Sequence, residues 1–149
     1  MKYPTICILI ALGGSLASAE TKVKLTDLPP AVQRAVQRET KDTTLVGISK
    51  ERERGRTVYE VETKGNGKGR DLMFAADGSL LEIEEEVDLN SIPAPARQAI
   101  EKQTAGETVK KIESVTHGSM TSYEAQVKTK TRHSREIAVN ADGSPHREN

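Results

Sequence analysis

An internal repeat is the feature that most limits what this chain can fold into. Matching residues recur in the same order, at a nearly constant offset, in the two halves of the sequence. The matched segments are Leu28-Pro29 with Ile92-Pro93, Ala35-Val36 with Ala99-Ile100, Tyr59-Glu60 with Tyr123-Glu124, and Ala76-Asp77-Gly78-Ser79 with Ala141-Asp142-Gly143-Ser144. Chance similarity rarely keeps proline, tyrosine and Asp-Gly in register, so the pattern indicates a duplicated unit.

Each copy is expected to begin with a short helix. A candidate N-cap, Asp27 or Ser91, is followed by proline, which the first helical turn tolerates. Apolar residues then recur at the spacing that lines one helix face. They are Leu28, Val32, Ala35 and Val36 in the first copy and Ile92, Ala96, Ala99 and Ile100 in the second. The sequence therefore predicts one amphipathic helix at the start of each copy.

After each helix the apolar residues alternate, which is typical of strands with one covered face. The inward positions are Tyr59, Val61, Thr63, Leu72, Phe74 and Ala76, and then Tyr123, Ala125, Val127, Ile137, Val139 and Ala141. Asp-Gly pairs indicate tight hairpins, and the glycines at 65–69 a looser turn. The predicted fold class is α+β, with two repeats that each pack a short N-terminal helix on a four-stranded antiparallel sheet. The two sheets are expected to lie side by side, either adjacent or continuous.

The predicted organisation is a signal peptide at 1–19, a segment at 20–27, a first repeat at 28–86, a linker at 87–91 and a second repeat at 92–149. Lys2, an apolar run at 6–12 and small residues ending at Ala19 are the order of a secretory signal, with cleavage after Ala19. The one cysteine, Cys7, lies inside this signal. A mature chain without cysteine favours a bacterial periplasm or cell surface over a disulfide-rich secreted domain.

Charge and motifs argue against several classes of function. The chain has 22 basic and 22 acidic residues, so it offers no one-signed field for nucleic acid. No apolar run reaches the roughly 20 residues of a membrane span. The mature chain has no thiol, and no serine lies in a Gly-x-Ser-x-Gly elbow. We therefore expect no enzyme, no cofactor, no nucleic-acid partner and no membrane span.

Features that could suggest a ligand site each have a simpler explanation. Three histidines, His117, His133 and His146, fit no compact zinc spacing and are expected to be solvated loop residues. The acidic run of Glu82, Glu84, Glu85, Glu86 and Asp88 lacks the glycine turn of a calcium loop. It is expected to form a solvated strand edge, protected by charge from pairing with another chain.

The glycine-rich segment at 65–69 is expected to be a hairpin loop. It has no serine or threonine after its lysine and joins two strands, whereas a phosphate loop joins a strand to a helix. Tyr59 and Tyr123 occupy the same place in each copy and are expected to be core residues under the helix. No metal site is predicted.

Three motifs carry a resemblance to a known family. They are Leu28-Pro29-Pro30-Ala31-Val32, Thr57-Val58-Tyr59-Glu60-Val61-Glu62 and Ala75-Ala76-Asp77-Gly78-Ser79-Leu80-Leu81-Glu82. The chain resembles the PepSY-like domains, including their beta-lactamase-inhibitor-like group, in tandem over nearly the whole mature chain. The resemblance implies an exported, non-catalytic module that binds proteins, with restraint of peptidases or other hydrolases in some members. Related beta-lactamase inhibitory proteins place two such units side by side to grip an enzyme on a concave sheet. The resemblance identifies no inhibitory residue in this chain.

The predicted binding surface is the sheet face of the first copy that the helix leaves uncovered. It carries apolar residues where a free sheet prefers polar ones: Val58, Met73, Ala75 and Leu80. The predicted partner is another protein of the cell envelope, and a peptidase or other hydrolase would be restrained by it. The alternative is a structural or ligand- or metal-sensing envelope protein. In that case this face closes against the second copy of the same chain, or against a second chain to form a dimer.

Overall fold

The computed structural model describes residues 20–131 and 133–147, so the predicted signal peptide at 1–19 lies outside the described residues. The elements are β1 Thr21–Lys22, α1 Pro30–Glu39, β2 Thr44–Glu53, β3 Arg56–Gly65, β4 Lys68–Ala75, β5 Leu80–Glu86, α2 Ala94–Gln103, β6 Thr108–His117, β7 Met120–Lys128 and β8 Ser134–Asn140. Neither helix in this part of the chain has the length and apolar character needed to cross a membrane.

All strands belong to one antiparallel sheet of eight strands, arranged in chain order from β1 to β8. β5 pairs with β6 across the boundary between the repeats, with Glu84 opposite Val115 and Glu86 opposite Glu113. The two repeats therefore share a single continuous hydrogen-bonded sheet.

The two halves contribute unequal numbers of strands. The first half supplies four long strands, β2 to β5, as expected, and β1 adds a short strand outside β2. The second half supplies β6 to β8, and after the last hairpin a single bridge joins Pro145 to Val139. The prediction of four strands in the second copy was therefore wrong for the described residues. Pro145 has no N–H with which to continue the hydrogen bonds of a further strand.

Both helices pack on the same face of the sheet and form two hydrophobic cores. The first core consists of Leu28, Val32, Ala35, Val36, Ile48, Tyr59, Val61, Leu72 and Phe74. The second consists of Ile92, Ala96, Ile100, Ile112, Ala125, Val127, Ile137 and Val139, with Tyr123 packed against it. The predicted core position of Tyr59 is confirmed, whereas Tyr123 is half-buried at the margin of the second core.

The helices begin later than the sequence suggested. Pro29 and Pro93 occupy the N-cap positions, and the 3-10 turns Leu25–Asp27 and Leu89–Ser91 precede them. The Asp27 carboxylate accepts a hydrogen bond from the backbone N–H of Lys24 at 3.1 Å, so it caps the turn and not the helix. The predicted N-caps were wrong because a residue before proline is held extended, which delays the helix.

An arginine from the sheet contacts the end of each helix. Arg70 Nη1 donates to the Glu39 carbonyl at 3.0 Å, and Arg135 Nη2 donates to the Gln103 carbonyl at 2.7 Å. Each arginine also pairs with a carboxylate: Arg70 with Glu85, and Arg135 with Glu107, which follows α2. The duplication thus extends to a cation at the negative end of each helix.

The glycine-rich turn is tighter than expected. β3 ends at Gly65 and β4 begins at Lys68, so Asn66 and Gly67 alone form the loop. Their φ angles of 52° and 81° are those of a type I′ turn, which suits the twist of a two-residue hairpin. The prediction of a hairpin is confirmed, and its looser form is corrected.

The open face of the sheet as the candidate site

The sheet face opposite α1 and α2, which we call the open face, is lined by carboxylates. Cross-strand pairing aligns them in rows, one of which runs through Glu62, Asp71 and Glu84. Strand alternation assigns to this face Glu60 and Glu62 on β3, Asp71 on β4, Glu82, Glu84 and Glu86 on β5, Glu113 on β6, Glu124 on β7 and Glu136 on β8. Alternation also assigns basic side chains to this face, namely Arg56 and Lys64 on β3, Lys111 on β6 and Lys128 on β7, so acidic groups outnumber basic ones on this side of the sheet.

Side chains at the centre of the open face are buried although they point away from both helices. Asp71 is 8% exposed, and Val58 and Ser122 are each 4% exposed. Neighbours on the same face provide the shielding; the Ser49 hydroxyl, for example, lies 3.4 Å from Glu60 Oε2. The charges on this face are therefore only partly solvated, and each carboxylate feels its neighbours more strongly than it would in water.

Two carboxyl groups near the boundary between the repeats have raised pKa values. Burial raises the pKa of Asp71 to about 6, opposed by the charge of Lys111 and reinforced by that of Glu113. Burial and the negative charges of Glu113 and Glu82 raise the pKa of Glu84 to about 8. At neutral pH Asp71 is mostly ionised, whereas Glu84 mostly retains its proton.

Glu124 on β7 shows the largest effect. Burial raises its pKa to about 9, together with the charge of Glu136 and a hydrogen bond between the two side chains. Glu84 and Glu82 add further repulsion across the sheet. A hydrogen bond between two carboxyl groups needs a proton on one of them, so this pair holds a proton at neutral pH.

Asp71, Glu84 and Glu113 each place one oxygen within 4.8 Å of the others, which is close enough to surround a cation. However, the ammonium group of Lys111 lies 2.6 Å from Glu113 Oε1 and already supplies a positive charge. Three carboxylates are also fewer than the roughly six oxygens that calcium takes. We therefore assign these residues as a carboxylate cluster compensated by lysine, and not as metal ligands.

The predicted apolar surface is only partly assembled. Val58 and Ala75 pair directly on the open face, and Met73 lies in the next row opposite Glu60. Val58 is buried, while Met73 and Ala75 are half-buried. A bulge pairs Leu80 with the core residue Phe74, so Leu80 does not continue the row of Met73, and its placement on this face is corrected.

The acidic run also differs from its expected role. It does not form a sheet edge, because β5 pairs with β4 on one side and β6 on the other. Glu82, Glu84 and Glu86 belong to the open face, whereas Glu85 belongs to the helix-covered face and lies 3.0 Å from Arg70 Nε. The charged run therefore crosses the middle of the sheet.

The three histidines have separate partners. His117 Nδ1 lies 3.6 Å from a Glu82 oxygen. His133 Nδ1 lies 3.1 Å from Thr131 Oγ1, and His146 Nδ1 lies 2.8 Å from Asn140 Oδ1. None of them belongs to the carboxylate cluster of Asp71, Glu84 and Glu113.

The acidic character of the open face was visible only in part from the sequence. Alternation with Tyr59 and Val61 already places Glu60 and Glu62 on the face away from the core. The approach of Glu84 to Glu113 depends on the pairing of β5 with β6, which local patterns do not specify. A count of acidic residues at outward positions on both repeats would have been the available signal.

The chain belongs to the family described as "Putative beta-lactamase-inhibitor-like, PepSY-like". The family matches it twice, over 16–82 and 66–143. These matches cover most of the chain and agree with its duplication. No curated protein matches the chain at a significant level.

Three solved structures with the same fold come from species of Bacteroides. A "putative periplasmic" protein of Bacteroides eggerthii is 18% identical, with a TM-score of 0.66 over 80% of this chain and 86% of its own. A DUF2874 family protein of Bacteroides uniformis is 15% identical, with a TM-score of 0.64 over 80% and 86%. A BLIP-like protein of Bacteroides fragilis is 18% identical, with a TM-score of 0.58 over 82% and 86%. At these identities the similarity establishes the shared fold.

Proposed function

We propose that this chain is an exported, non-catalytic protein-binding module of the bacterial cell envelope, and that its open face binds a basic surface of a partner protein. One observation carries the proposal. The two helices cover one side of the sheet, and the other side gathers carboxylates from β3 to β8 in a chain whose total charge is balanced. Such a face favours a partner that presents lysine or arginine side chains.

The comparisons support the class and the location. The family description names beta-lactamase inhibitors, and the structure from Bacteroides fragilis is described as BLIP-like. The protein of Bacteroides eggerthii is described as periplasmic, in agreement with the signal peptide expected at 1–19. Within this proposal the partner is a peptidase or another hydrolase whose activity the bound module restrains.

The chemistry of the face explains how such a partner would be held. A lysine or arginine placed beside Glu84 or Glu124 would lower the pKa of that carboxyl and make it release its proton. The resulting charge-assisted hydrogen bonds are stronger than neutral ones. Met73 and Ala75 add apolar contact beside the charged rows, so the face combines charge with a small hydrophobic area.

Charge reversal on the open face tests the proposal. We expect Glu60→Lys with Glu62→Lys to weaken retention of the partner from envelope extract by about tenfold or more. The matched control is Asp42→Lys with Glu101→Lys, which makes the same charge change at exposed positions beside α1 and on α2. Quantitative mass spectrometry of the retained proteins is the measurement, and a retained hydrolase is then assayed with and without the module.

The proposal fails if the two double variants retain the same proteins in the same amounts. It also fails if the proteins lost by the open-face variant are acidic, since the argument rests on opposite charge. Circular dichroism of both variants establishes that each is folded before the comparison is made.

A further inference from the structure

The short strand β1 meets β2 in the same register in which the end of β5 meets β6. Each of its residues lies as far before its counterpart on β5 as Leu28 lies before Ile92. The pairs are Thr21 with Lys50 and Lys22 with Ser49 in the first half, and Glu85 with Ser114 and Glu86 with Glu113 in the second. The next backbone bond is repeated as well: Val23 N donates to the Ile48 carbonyl at 3.0 Å, and Val87 N to the Ile112 carbonyl at 2.9 Å.

The segments that follow these strands also correspond. A 3-10 turn leads toward the helix in both halves, at Leu25–Asp27 and at Leu89–Ser91. Val23 and Leu25 pack against the first core, as Val87 and Leu89 pack against the second. The repeated unit therefore extends back to β1, which is the counterpart of the end of β5.

β1 covers its neighbour less completely than β5 does. β5 pairs with β6 over Glu82–Glu86, whereas β1 pairs with β2 over two residues. Since β2 runs from Thr44 to Glu53, most of its outer edge faces no strand in the described part of the chain. Of the four exposed large apolar side chains among the described residues, two lie on β2, Leu45 and Val46. An incompletely covered strand edge is a template for pairing with another chain.

The opposite end of the sheet is closed in a different way. Asn140 N donates to the Ser144 carbonyl and His146 N to the Ala138 carbonyl, so the backbone of Pro145 faces outward. Proline has no N–H, and this edge therefore lacks a donor where a further strand needs one. β3 to β7 each have a strand on both sides. The edge of β2 is thus the edge of this sheet best suited to pair with a second copy.

We propose that β1 is an intramolecular cap: it occupies the edge of β2 that, without it, pairs with β2 of a second copy of this chain. Antiparallel pairing of two β2 strands relates the copies by a two-fold axis, the commonest symmetry of protein dimers. It reuses the kind of contact that already joins the two repeats at β5 and β6. Leu45 and Val46 add apolar surface to it. The cap concerns self-association and holds whether or not the open face binds a basic partner.

The capped edge is protected by charge. Because Val23 N bonds to β2, the backbone of the preceding residue, Lys22, faces away from β2 by strand alternation. Lys22 is exposed, and an exposed lysine at the outermost strand disfavours the addition of another strand. β1 therefore replaces an edge with exposed apolar residues by a short, charged one.

Proline substitutions in β1 test the cap. Val23→Pro removes the N–H that bonds the Ile48 carbonyl, whereas Lys22→Pro removes an N–H that faces outward and is the matched control. We expect sedimentation velocity to show that Val23→Pro dimerises at least about tenfold more tightly than the wild type, and that Lys22→Pro behaves as the wild type. Adding Lys50→Pro to Val23→Pro should abolish the dimer, because the Lys50 N–H points to the outer edge of β2.

The cap is refuted if Val23→Pro, shown to be folded by circular dichroism, associates no more than the wild type. It is also refuted if Lys22→Pro associates as strongly as Val23→Pro, or if the added Lys50→Pro leaves the dimer intact, since the copies then meet through another surface. Species larger than a dimer overturn the two-fold pairing of β2. If Val23→Pro does not fold, Thr21→Pro takes its place, because the Thr21 backbone also faces β2 and the Val23 side chain then stays on the core.

Discussion

Gly78 and Gly143 lie where a hairpin turn packs against the first turn of a helix. Their φ angles are 86° and 83°, in the region that glycine tolerates best. A Cβ atom on Gly78 would lie 2.8 Å from the Ala31 carbonyl oxygen, and one on Gly143 would lie 2.6 Å from the Pro95 carbonyl oxygen. Each glycine is thus required both by its backbone conformation and by a close approach to a helix.

We expect Gly78→Ala to destabilise the protein more than Gly55→Ala. Both residues have positive φ and both variants should lose about 1–2 kcal/mol from backbone strain. At Gly55 a new Cβ meets nothing within 4 Å, whereas at Gly78 it meets helix backbone, which should add about 1 kcal/mol or more. Urea denaturation measures the difference, and equal losses would show that the hairpin is free to move away from α1.

Residue-scale features were predictable where they depend on near neighbours in sequence. The Asp-Gly turns and the core position of Tyr59 followed from local composition and alternation. The contact of Gly78 with Ala31 could not be predicted in this way, because it joins a turn to a helix that lies far earlier in the chain. The raised pKa of Glu124 was equally out of reach, since it depends on Glu136 on another strand.

Among the elements, the two helices depend on arginine contacts at their ends. Arg70 and Arg135 each bond a helix carbonyl and a carboxylate at the same time. We expect Arg70→Ala to lower the free energy of unfolding by about 1–2 kcal/mol, since a helix-end charge and its hydrogen bonds are lost together. Arg34→Ala, at an exposed position on α1, should cost less than about 0.5 kcal/mol.

Thermal unfolding of the two variants measures this effect, and exchange of the last amides of α1 locates it. A loss from Arg70→Ala that matches Arg34→Ala would mean that the contact at Glu39 adds nothing to stability. Arg70→Lys separates the charge from the two-sided geometry, because lysine keeps the first and not the second.

The type of each helix and strand was predicted more reliably than the number of strands and the residues at which the elements begin. The helices, the strands and the antiparallel order all follow from periodicity and turns. The starts of both helices were missed because Pro29 and Pro93 hold extended backbone after a 3-10 turn. The position of β5 was missed because a strand rich in glutamate suggests an edge, while its neighbour β6 lies beyond a whole helix in the chain.

For the whole molecule, separation of charge predicts an unusual response to salt. As pH rises through about 8 and 9, Glu84 and then Glu124 lose their protons, so the open face becomes more negative and its self-repulsion should be screened by salt. We expect the melting temperature at pH 9 to rise by about 3 °C or more when sodium chloride increases from about 0.02 M to 0.3 M, with little change at pH 5.5. Glu84→Gln with Glu124→Gln should reduce the effect, and Glu101→Gln should not. Differential scanning calorimetry measures it, and an equal salt effect at both pH values would contradict it.

The pairing of β5 with β6 makes this chain an intramolecular dimer of its own repeat. If the copies were separate molecules, the same strand edges could meet only by collision, at a frequency set by protein concentration. The short connection at 87–91 replaces that concentration with a fixed, high local one, so assembly no longer depends on how much protein the cell makes. It also lets the two copies diverge in sequence independently. In a symmetric dimer one surface must be complementary to itself, whereas here β5 and β6 are different segments that need only be complementary to each other.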